Sequence, residues 1–470
     1  MPPFCSFPSV DSYWLLNATI PHCLLDDSIV PSIIEGKGSF TSHTDGFSRL
    51  NLQISGGKVR TILPAEDLSS LSTTLPTVDL RGGQVWPCFI DMHTHLDKGH
   101  SWERSPNPNG SFQGAMAAVR RDAVNCHEED LYRRMEFGLL CSYAHGTSCL
   151  RTHLDTPSDQ MELRFDVFTS LQKQWQGRLT LQSVCLVGLD EFLTPFGEKL
   201  SDRVSAIGGV LGGVAWMDPE LDNQLHRVFA LAHERRLDLD FHVDETHDPN
   251  SCALKHVALI AERYRTLGYS GRITCGHCCS LAVQPPAVVR DTLERVRGAG
   301  IAIVSLPLCN LYLQDRHPGH TPYWRGTTLL HELKAANIPV ALASDNCRDP
   351  FFAYGDHDGL EVFTHSVRIG HLDHPIGDWP RAVTATPASL MGLTDVGRIG
   401  VGLSADLVCF RARYYSELLS RPQSDRVVLR QGIPVNTELP DYETLDDLMG
   451  TTSLSHPLTL PHGRMDGLNP

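Results

Sequence analysis

Apolar and polar positions alternate along the middle of the chain in a way that predicts parallel strands separated by helices. Short, almost wholly apolar runs are typical of strands buried on both faces of a sheet. Eight such runs span residues 85–93, 147–153, 181–187, 205–215, 237–242, 272–277, 301–306 and 340–344. Longer segments between them, clearest at 128–145, 225–235 and 287–299, carry apolar residues at helical spacing. Residues 85–392 are therefore predicted to form a (β/α)8 TIM-type barrel of the α/β class.

The two segments that flank this region have short apolar runs and many turn residues. In residues 10–84, Gly56 and Gly57 separate the runs 50–54 and 59–63, a pattern typical of a β-hairpin. Residues 393–437 have the same character, with short predicted strands at 396–401, 407–410 and 427–434. We predict that these N- and C-terminal segments build one small β-sandwich beside the barrel. Residues 438–470, rich in Pro, Gly, Thr and Asp, are expected to form a tail.

Composition narrows the classes of partner. The 470 residues include 55 acidic and 40 basic ones, for a net charge of −15, which argues against binding to nucleic acid. The apolar runs are too short to cross a membrane, and the first residues do not resemble a secretory signal. The 14 cysteines form no even framework, so we expect reduced thiols and a cytoplasmic protein. Association into a homo-oligomer is left open.

The strongest chemical signal is the pair His93 and His95 at the end of the first barrel strand. Residues two apart on a strand point to the same side, so both imidazoles can reach one ion. In a barrel, the carboxyl ends of the strands carry the active site. The position of the pair, more than the motif itself, indicates a metal site.

Three other strand ends carry similar chemistry. The fifth strand ends at His242, followed by Glu245; the sixth ends at His277; and the eighth is followed by Asp345. Histidine residues scattered over a surface would not fall so regularly at strand ends. We therefore predict one metal site with groups for proton transfer beside it.

Several similar patterns are interpreted differently. His153 closes the second strand and is expected to face the same cavity, where it either supports the metal ligands or contacts substrate, because the set of metal ligands is already complete. The sequence His-Leu-Asp of residues 95–97 occurs again at His371, but this residue lies in a loop after a predicted helix, so the repeat is attributed to chance. The cysteines that surround His277 lack a second pair at zinc-ribbon spacing and are expected to be core thiols: Cys275, Cys278 and Cys279.

Taken together, these motifs resemble the amidohydrolase superfamily, and most closely its bacterial-type cytosine deaminase branch. An HxHLD motif at 93–97, an HxDE motif at 242–245, His277 and Asp345 follow the order of that branch. Further similar stretches lie at 150–153, 310–314, 349–350 and 397–407. The resemblance spans roughly residues 85–435 and covers both the barrel and the sandwich.

The resemblance implies one divalent metal ion, zinc or ferrous iron, with the ligands His93, His95, His242 and Asp345. It implies that Glu245 transfers protons, that His277 orients a metal-bound hydroxide, and that Asp345 accepts the proton of that hydroxide. Binuclear members of the superfamily carry a carboxylated lysine on the fourth strand. Residues 205–215 contain no lysine, so a single ion is expected.

The residues that would recognise the substrate differ from those of cytosine deaminases. The position of a glutamine that reads the pyrimidine falls at Gly188, the second carboxylate after the eighth strand is replaced by Asn346, and the expected tryptophan is Phe351. These changes argue against cytosine as the substrate. The residues expected to contact substrate are His153, Leu186, Gly188, Asn346, Phe351 and Lys98.

These observations predict a metal-dependent hydrolase of carbon–nitrogen bonds that deaminates an amino-substituted nitrogen heterocycle. Ring opening of a cyclic amide and removal of an alkylamine are alternatives, because both use the same hydroxide and proton transfer. A metal-binding scaffold without turnover is a third possibility. It is disfavoured because a structural site needs neither Glu245 nor His277.

Overall fold

The computed structural model describes residues 4–8, 10–28, 46–71 and 74–450 of the chain. Its first sheet has four strands: β1 (Ser12–Pro21), β2 (Phe47–Ser55), β3 (Lys58–Pro64) and β4 (Thr77–Asp79). Their order in the sheet is β3-β2-β1-β4, in which β2 runs antiparallel to β1 and β3, and β4 runs parallel to β1. The predicted hairpin between β2 and β3 is present. It turns at Gly56 and Gly57, whose positive φ angles of 56° and 75° suit glycine.

All eight predicted parallel strands are present in the central region. The first predicted run divides into a short strand, β5 (Val85–Pro87), and the strand β6 (Phe89–Thr94). The others are β7 (Thr147–Asp155), β8 (Thr180–Leu186), β9 (Leu211–Ala215), β10 (Leu239–Val243), β11 (Ile273–His277), β12 (Ile301–Ser305) and β13 (Val340–Leu342). They form two parallel sheets, β6-β7-β8 and β13-β12-β11-β10-β9, so the molecule has a mixed α/β fold.

Isolated parallel bridges lie where these two sheets approach each other. Val184 pairs with Val210 and Gly188 with Val214, between β8 and β9. On the other side, Thr94 at the end of β6 pairs with Asp345 beyond β13.

Helices follow most of the parallel strands. Those of the central region are α1 (Phe112–Asp122), α2 (Glu128–His145), α3 (Met161–Gln174), α4 (Pro195–Ala206), α5 (Leu221–Arg235), α6 (Ala253–Thr266), α7 (Pro286–Ala299), α8 (Pro307–Leu313), α9 (Leu330–Ala335), α10 (Gly359–Gly370) and α11 (Ala385–Leu390). Helix α2 has the predicted bounds. Three acidic residues in its first turn lie at the positive end of the helix dipole and stabilise the helix there. Gly146, in the left-handed conformation, ends the helix.

The predicted strand at 205–215 was too long. Its first two residues end α4, and the strand begins only at Leu211. Gly208 has a φ of 65°, which ends the helix and turns the chain towards the sheet. The apolar character of the run does not distinguish the last turn of a buried helix from a strand.

A second four-stranded sheet joins β5 to the C-terminal region in the order β16-β15-β14-β5, with every pair antiparallel. Its other strands are β14 (Leu407–Cys409), β15 (Val427–Arg430) and β16 (Ile433–Pro434), and the short helix α12 (Tyr415–Leu418) lies between β14 and β15. The predicted strand at 396–401 is only an isolated bridge between Leu25 and Ile399. Residues of both four-stranded sheets, such as Tyr13, Leu52 and Leu429, share one apolar core.

Part of the predicted C-terminal tail packs on the central region. A 3-10 turn at Tyr442–Leu445 leads into α13 (Asp446–Met449), and Leu445 packs against Phe137 and Cys141 of α2. Arg133 donates hydrogen bonds of 2.6 and 2.7 Å to Asp447. Residues 451–470 lie outside the described residues. No helix within the described ranges is both long and apolar enough to cross a membrane.

Candidate active site

The predicted metal ligands meet at the carboxyl ends of the parallel strands. His95 Nε2 lies 3.3 Å from Asp345 Oδ1 and 3.2 Å from His242 Nε2. His93 Nε2 lies 3.6 Å from the same Asp345 oxygen. All four side chains are buried. Strands β6 and β10 and the turn after β13 therefore bring together four groups that are up to 252 positions apart in the sequence.

The donor atoms of this group fit a bound cation. Both ring nitrogens of His93 and both carboxylate oxygens of Asp345 lack a hydrogen-bond partner among the described residues. Leaving buried polar atoms unpaired costs roughly 1–3 kcal/mol each, and more for a charge. Imidazole nitrogens and a carboxylate oxygen are ligands that zinc and ferrous iron accept.

The pKa shifts of these four side chains agree with a cation bound between them. Burial, together with the neighbouring imidazoles and Lys98, holds the pKa values of His93 and His95 well below their usual range, so both rings are neutral. Burial also lowers the pKa of His242 and raises that of Asp345 to about 7. The raised pKa means that the surrounding protein alone does not favour the charged form of Asp345. A divalent ion would compensate that negative charge.

Glu245, His277 and Asn310 form a second group beside the first. His277 Nδ1 lies 3.4 Å from Glu245 Oε1, and Asn310 Nδ2 lies within 3.2 Å of both atoms. Burial and the nearby Asp345 raise the pKa of Glu245 well above its usual value, so this carboxyl group holds a proton. Burial lowers the pKa of His277 to about 3, so its ring is neutral.

Asp244 holds the turn that carries Glu245. Its carboxylate accepts hydrogen bonds from Ser251 Oγ (2.6 Å), the Ala253 amide (3.0 Å) and the Leu254 amide (2.9 Å) at the start of α6. Asp244 itself has a φ of 51°, an uncommon value for a residue other than glycine. These hydrogen bonds join the turn that carries Glu245 to the start of α6.

Gly276 makes room for a ligand ring. A Cβ atom built on Gly276 would lie 2.9 Å from His93 Cε1, closer than real Cβ contacts come. Strand β11 can therefore pass directly behind the imidazole because it has no side chain there.

His153 packs behind the ligands and does not line the cavity described below. Its ring centroid lies 4.0 Å from that of His93 and 4.8 Å from that of His242. Its Nε2 atom is 3.9 Å from Asp240 Oδ2, and Asp240 is held by Arg151 at 2.8 Å. One nitrogen from each of His93, His153 and His242 falls within 4.8 Å of the others.

A cavity of about 470 Å³ opens in front of the ligands. Glu245, His277 and His242 lie on its inner wall. Three aromatic rings form part of its outer wall: Phe112 packs edge-on against Trp216 at 5.7 Å and against Phe351 at 5.6 Å. The volume is in the range of pockets that bind small organic ligands.

The other residues expected to contact substrate also line this cavity: Leu186, Gly188, Asn346, Phe351 and Lys98. Lys98 Nζ is 3.0 Å from Asp155 Oδ1 and 5.2 Å from the centre of the Phe351 ring. Asn346 Nδ2 donates to Asp349 Oδ2 at 2.7 Å, which fixes the direction of its amide.

Sequence reasoning missed the roles of Asp244 and Asn310. Asn310 was noted only as part of a similar stretch, and its contacts depend on α8 lying over the cavity. Asp244 lies nine residues before Ala253, outside the capping position of α6, so its contacts depend on the folded turn. Cys275, Cys278 and Cys279 are buried thiols as predicted, and His371 is exposed.

The chain belongs to the amidohydrolase family, which residues 76–136 and 174–436 match. This confirms the predicted superfamily and agrees with the buried histidine and aspartate groups. The chain is 48% identical over 449 residues to a pterin deaminase of Rhizobium rhizogenes strain K84, covering 95% of this chain and 99% of that protein.

Two further proteins are more distantly similar. N-isopropylammelide isopropyl amidohydrolase of Pseudomonas sp. strain ADP is 24% identical over 351 residues, covering 72% of this chain and 82% of that one. The crystal structure of 5-methylcytosine deaminase from Klebsiella pneumoniae with 5-fluorocytosine has a TM-score of 0.74. That structure is 22% identical and covers 90% of this chain and 97% of its own, which establishes a shared fold.

Proposed function

We propose that this chain is a metal-dependent hydrolase that deaminates a pterin, a fused two-ring heterocycle that carries an amino group. The chain is a hydrolase of carbon–nitrogen bonds other than peptide bonds, and deamination of an amino-substituted heterocycle agrees with its relatives. The observation that carries the proposal is the placement of Glu245 and His277 beside the predicted ligands on the wall of an aromatic-lined cavity.

We infer that the parallel strands close into the predicted (β/α)8 barrel. The bridges between β8 and β9, and between Thr94 and Asp345, support this, because they join both edges of the two parallel sheets. Asp91 on β6 also accepts hydrogen bonds from the Ser344 amide (3.2 Å) and Oγ (2.5 Å) beyond β13. The apolar core shared by the two four-stranded sheets supports the predicted β-sandwich of residues 10–84 and 393–437.

We further infer a single divalent ion, zinc or ferrous iron, held by His93, His95, His242 and Asp345. The unpartnered donor atoms of this group support the assignment. The chemistry that such an ion supplies is acidification of a water molecule, whose pKa falls towards about 7. The ring of His153, which approaches two of the ligands, is assigned to support them from behind.

The residues of the chain account for the proton transfers. Water adds to the ring carbon that bears the amino group, the bond to that amino group breaks, and the products are the oxo compound and ammonia. Glu245 donates its proton to the adjacent ring nitrogen as the carbon–oxygen bond forms. Glu245 recovers its proton from the water molecule that enters for the next turnover. Such transfers contribute about 10²–10⁴-fold to the rate.

His277 and Asp345 complete the site. The neutral imidazole of His277 donates a hydrogen bond to the oxygen that is added to the ring, which stabilises the charge developing there. Asp345 accepts the proton of the added hydroxyl and passes it to the departing amine, which leaves as ammonia. Both groups are fixed by strand ends, so little reorganisation is needed during the reaction.

The cavity supports a planar substrate larger than cytosine. Phe112, Trp216 and Phe351 offer ring faces and edges to a flat heterocycle. Gly188 offers no side chain to the substrate, and a Cβ atom there would lie closer than 3.0 Å to Asp190 Oδ1.

Ammonia release from a panel of compounds tests the proposal. The panel contains pterins, amino-pyrimidines, amino-triazines, an N-alkylated triazine and a cyclic amide, assayed with protein loaded separately with zinc and with ferrous iron. We expect ammonia from pterins, with loss of activity on chelation and recovery on metal addition. Glu245→Gln should lower kcat about 10²–10⁴-fold. Glu438→Gln, at an exposed surface position, is the matched control and should be unchanged.

Each other outcome contradicts a specific part of the proposal. Ammonia from pyrimidines or triazines alone would reject the pterin assignment while retaining deamination. Release of an alkylamine or opening of the cyclic amide would replace deamination by one of the alternative reactions. Full activity of Glu245→Gln would remove the assigned proton-transfer group.

A further inference from the structure

A second cluster of potential metal ligands lies outside the active-site cavity. His100 follows β6, Cys347 follows β13, and His357 precedes α10. One donor atom from each lies within 4.8 Å of the other two. The His100 amide donates to the Cys347 carbonyl oxygen at 3.1 Å, so the two loops are joined by their backbones as well. None of the three residues lines the active-site cavity.

The two imidazoles of this cluster are buried without hydrogen bonds. His100 and His357 are each 2% exposed, and none of their four ring nitrogens has a partner among the described residues. Buried imidazoles normally donate one hydrogen bond and accept another. Four unpartnered nitrogens in one place therefore point to a ligand that satisfies them.

The surrounding residues keep space for these rings and close them off from water. A Cβ atom on Gly138 of α2 would lie 3.1 Å from His357 Nε2, so the glycine makes room for the ring. Glycine inside a helix costs about 1 kcal/mol relative to alanine, which is a cost that a packing requirement explains. The Phe137 ring packs edge-on against His100 at 4.6 Å, and Tyr442 stacks on Phe137 at 5.5 Å.

We propose that His100, Cys347 and His357 bind a zinc ion that is separate from the catalytic ion. A thiolate combined with two imidazoles is a donor set that favours zinc over the hard cations magnesium and calcium. The three side chains would supply three of the four ligands of a tetrahedral zinc site, and one trapped water molecule would supply the fourth. Each ring has an unpartnered nitrogen available to the ion. On binding, the Cys347 thiol releases its proton to solvent and its sulfur bonds the ion.

The position of the cluster assigns a structural role to this ion. It would connect the loop after β6, which carries Lys98, to the loop after β13, which carries Asn346 and Phe351. Both loops line the active-site cavity. The ion would thereby hold two walls of the cavity at a fixed separation without contacting substrate.

Cobalt substitution tests the proposal directly. Metal-free full-length protein is reloaded with cobalt(II), and its near-ultraviolet absorption is recorded, because a thiolate bonded to cobalt gives a charge-transfer band there. The ligands assigned to the catalytic site include no cysteine. We expect the band in the wild type and in Cys185→Ser, a control at another buried cysteine, and its loss in Cys347→Ser. Absence of the band from the wild type, or its persistence in Cys347→Ser, would overturn the proposal.

Metal content gives a second and independent readout. Elemental analysis should find two equivalents of transition metal in the wild type and one in His357→Asn. A single equivalent in the wild type, together with no thiolate band, would contradict the second site. The wild-type measurements decide the question even if a variant does not fold, and neither depends on the proposed deaminase activity.

Discussion

Asn310 Nδ2 donates a hydrogen bond to Glu245 Oε1 across 3.2 Å, and the same nitrogen lies 3.1 Å from His277 Nδ1. Because His277 accepts at Nδ1, its neutral ring carries the proton on Nε2. This Nε2 atom has no partner in the part of the chain that the structure describes. One amide therefore contacts both the Glu245 carboxyl and the His277 ring, and it sets the direction in which the imidazole donates.

Replacement of Asn310 by alanine should lower kcat by about 10–100-fold, the usual effect of losing a residue that orients catalytic groups. KM should change little, because Asn310 does not line the cavity. Steady-state kinetics separates the two parameters. Asn223→Ala, at an exposed position on α5, is the matched control. An effect on KM alone would show that Asn310 does not position the catalytic pair.

Replacement of Trp216 by alanine should raise KM about tenfold, since an aromatic contact contributes roughly 0.5–1.5 kcal/mol beyond its buried area. Trp216 is 43% exposed at the cavity mouth and contacts Phe112, so the protein should remain folded. Tyr323→Ala, at a residue that is 95% exposed, controls for loss of a surface aromatic. A fall in kcat at constant KM would place Trp216 in the reaction and not in binding.

The pair of His145 with Asp356 should make stability depend on pH. His145 Nε2 lies 2.7 Å from Asp356 Oδ2 and its Nδ1 lies 3.6 Å from Asp358 Oδ2. Burial and Arg426 lower the pKa of His145, but the two aspartates outweigh them and raise it above 6.5. The protonated ring therefore stabilises the folded state fully below pH 6.5, and this contribution is lost as pH rises through the folded pKa.

Urea unfolding of the wild type and His145→Gln measures this contribution. The difference in free energy of unfolding should be largest below pH 6.5 and should shrink at alkaline pH. A difference that stays constant across this range would mean that protonation of His145 does not contribute. His233→Gln, at an exposed position in the last turn of α5, is the control.

Replacement of Arg426 by methionine should cost about 3–5 kcal/mol in the free energy of unfolding, because it leaves the buried Asp358 carboxylate without its partner. The two guanidinium nitrogens lie 2.7 and 2.6 Å from the two carboxylate oxygens. Arg413→Met removes an exposed pair with Glu417 and should cost no more than about 0.5 kcal/mol. Equal effects from both variants would show that burial of the first pair has no energetic consequence.

Much of the site could be predicted because the apolar pattern located the strands and each chemical residue lay at a strand end. His93, His242 and His277 were placed by this argument alone, and α2 was predicted with its correct bounds. The contacts of Asn310 could not be predicted, since they join three separate elements and depend on the path of α8. The residues His100, Cys347 and His357 lie in loops, where hydrophobic periodicity does not predict where a side chain will lie.

Gly276 restricts which sequences this site can accept. Since even a methyl group there would approach His93 Cε1 to 2.9 Å, the His93 ring would have to shift to admit alanine. A library randomised at position 276 and selected for activity should therefore return glycine alone, whatever substrate the selection uses. Substitutions that alter specificity are therefore expected among the residues that line the cavity, while position 276 on β11 is expected to stay glycine as new activities evolve.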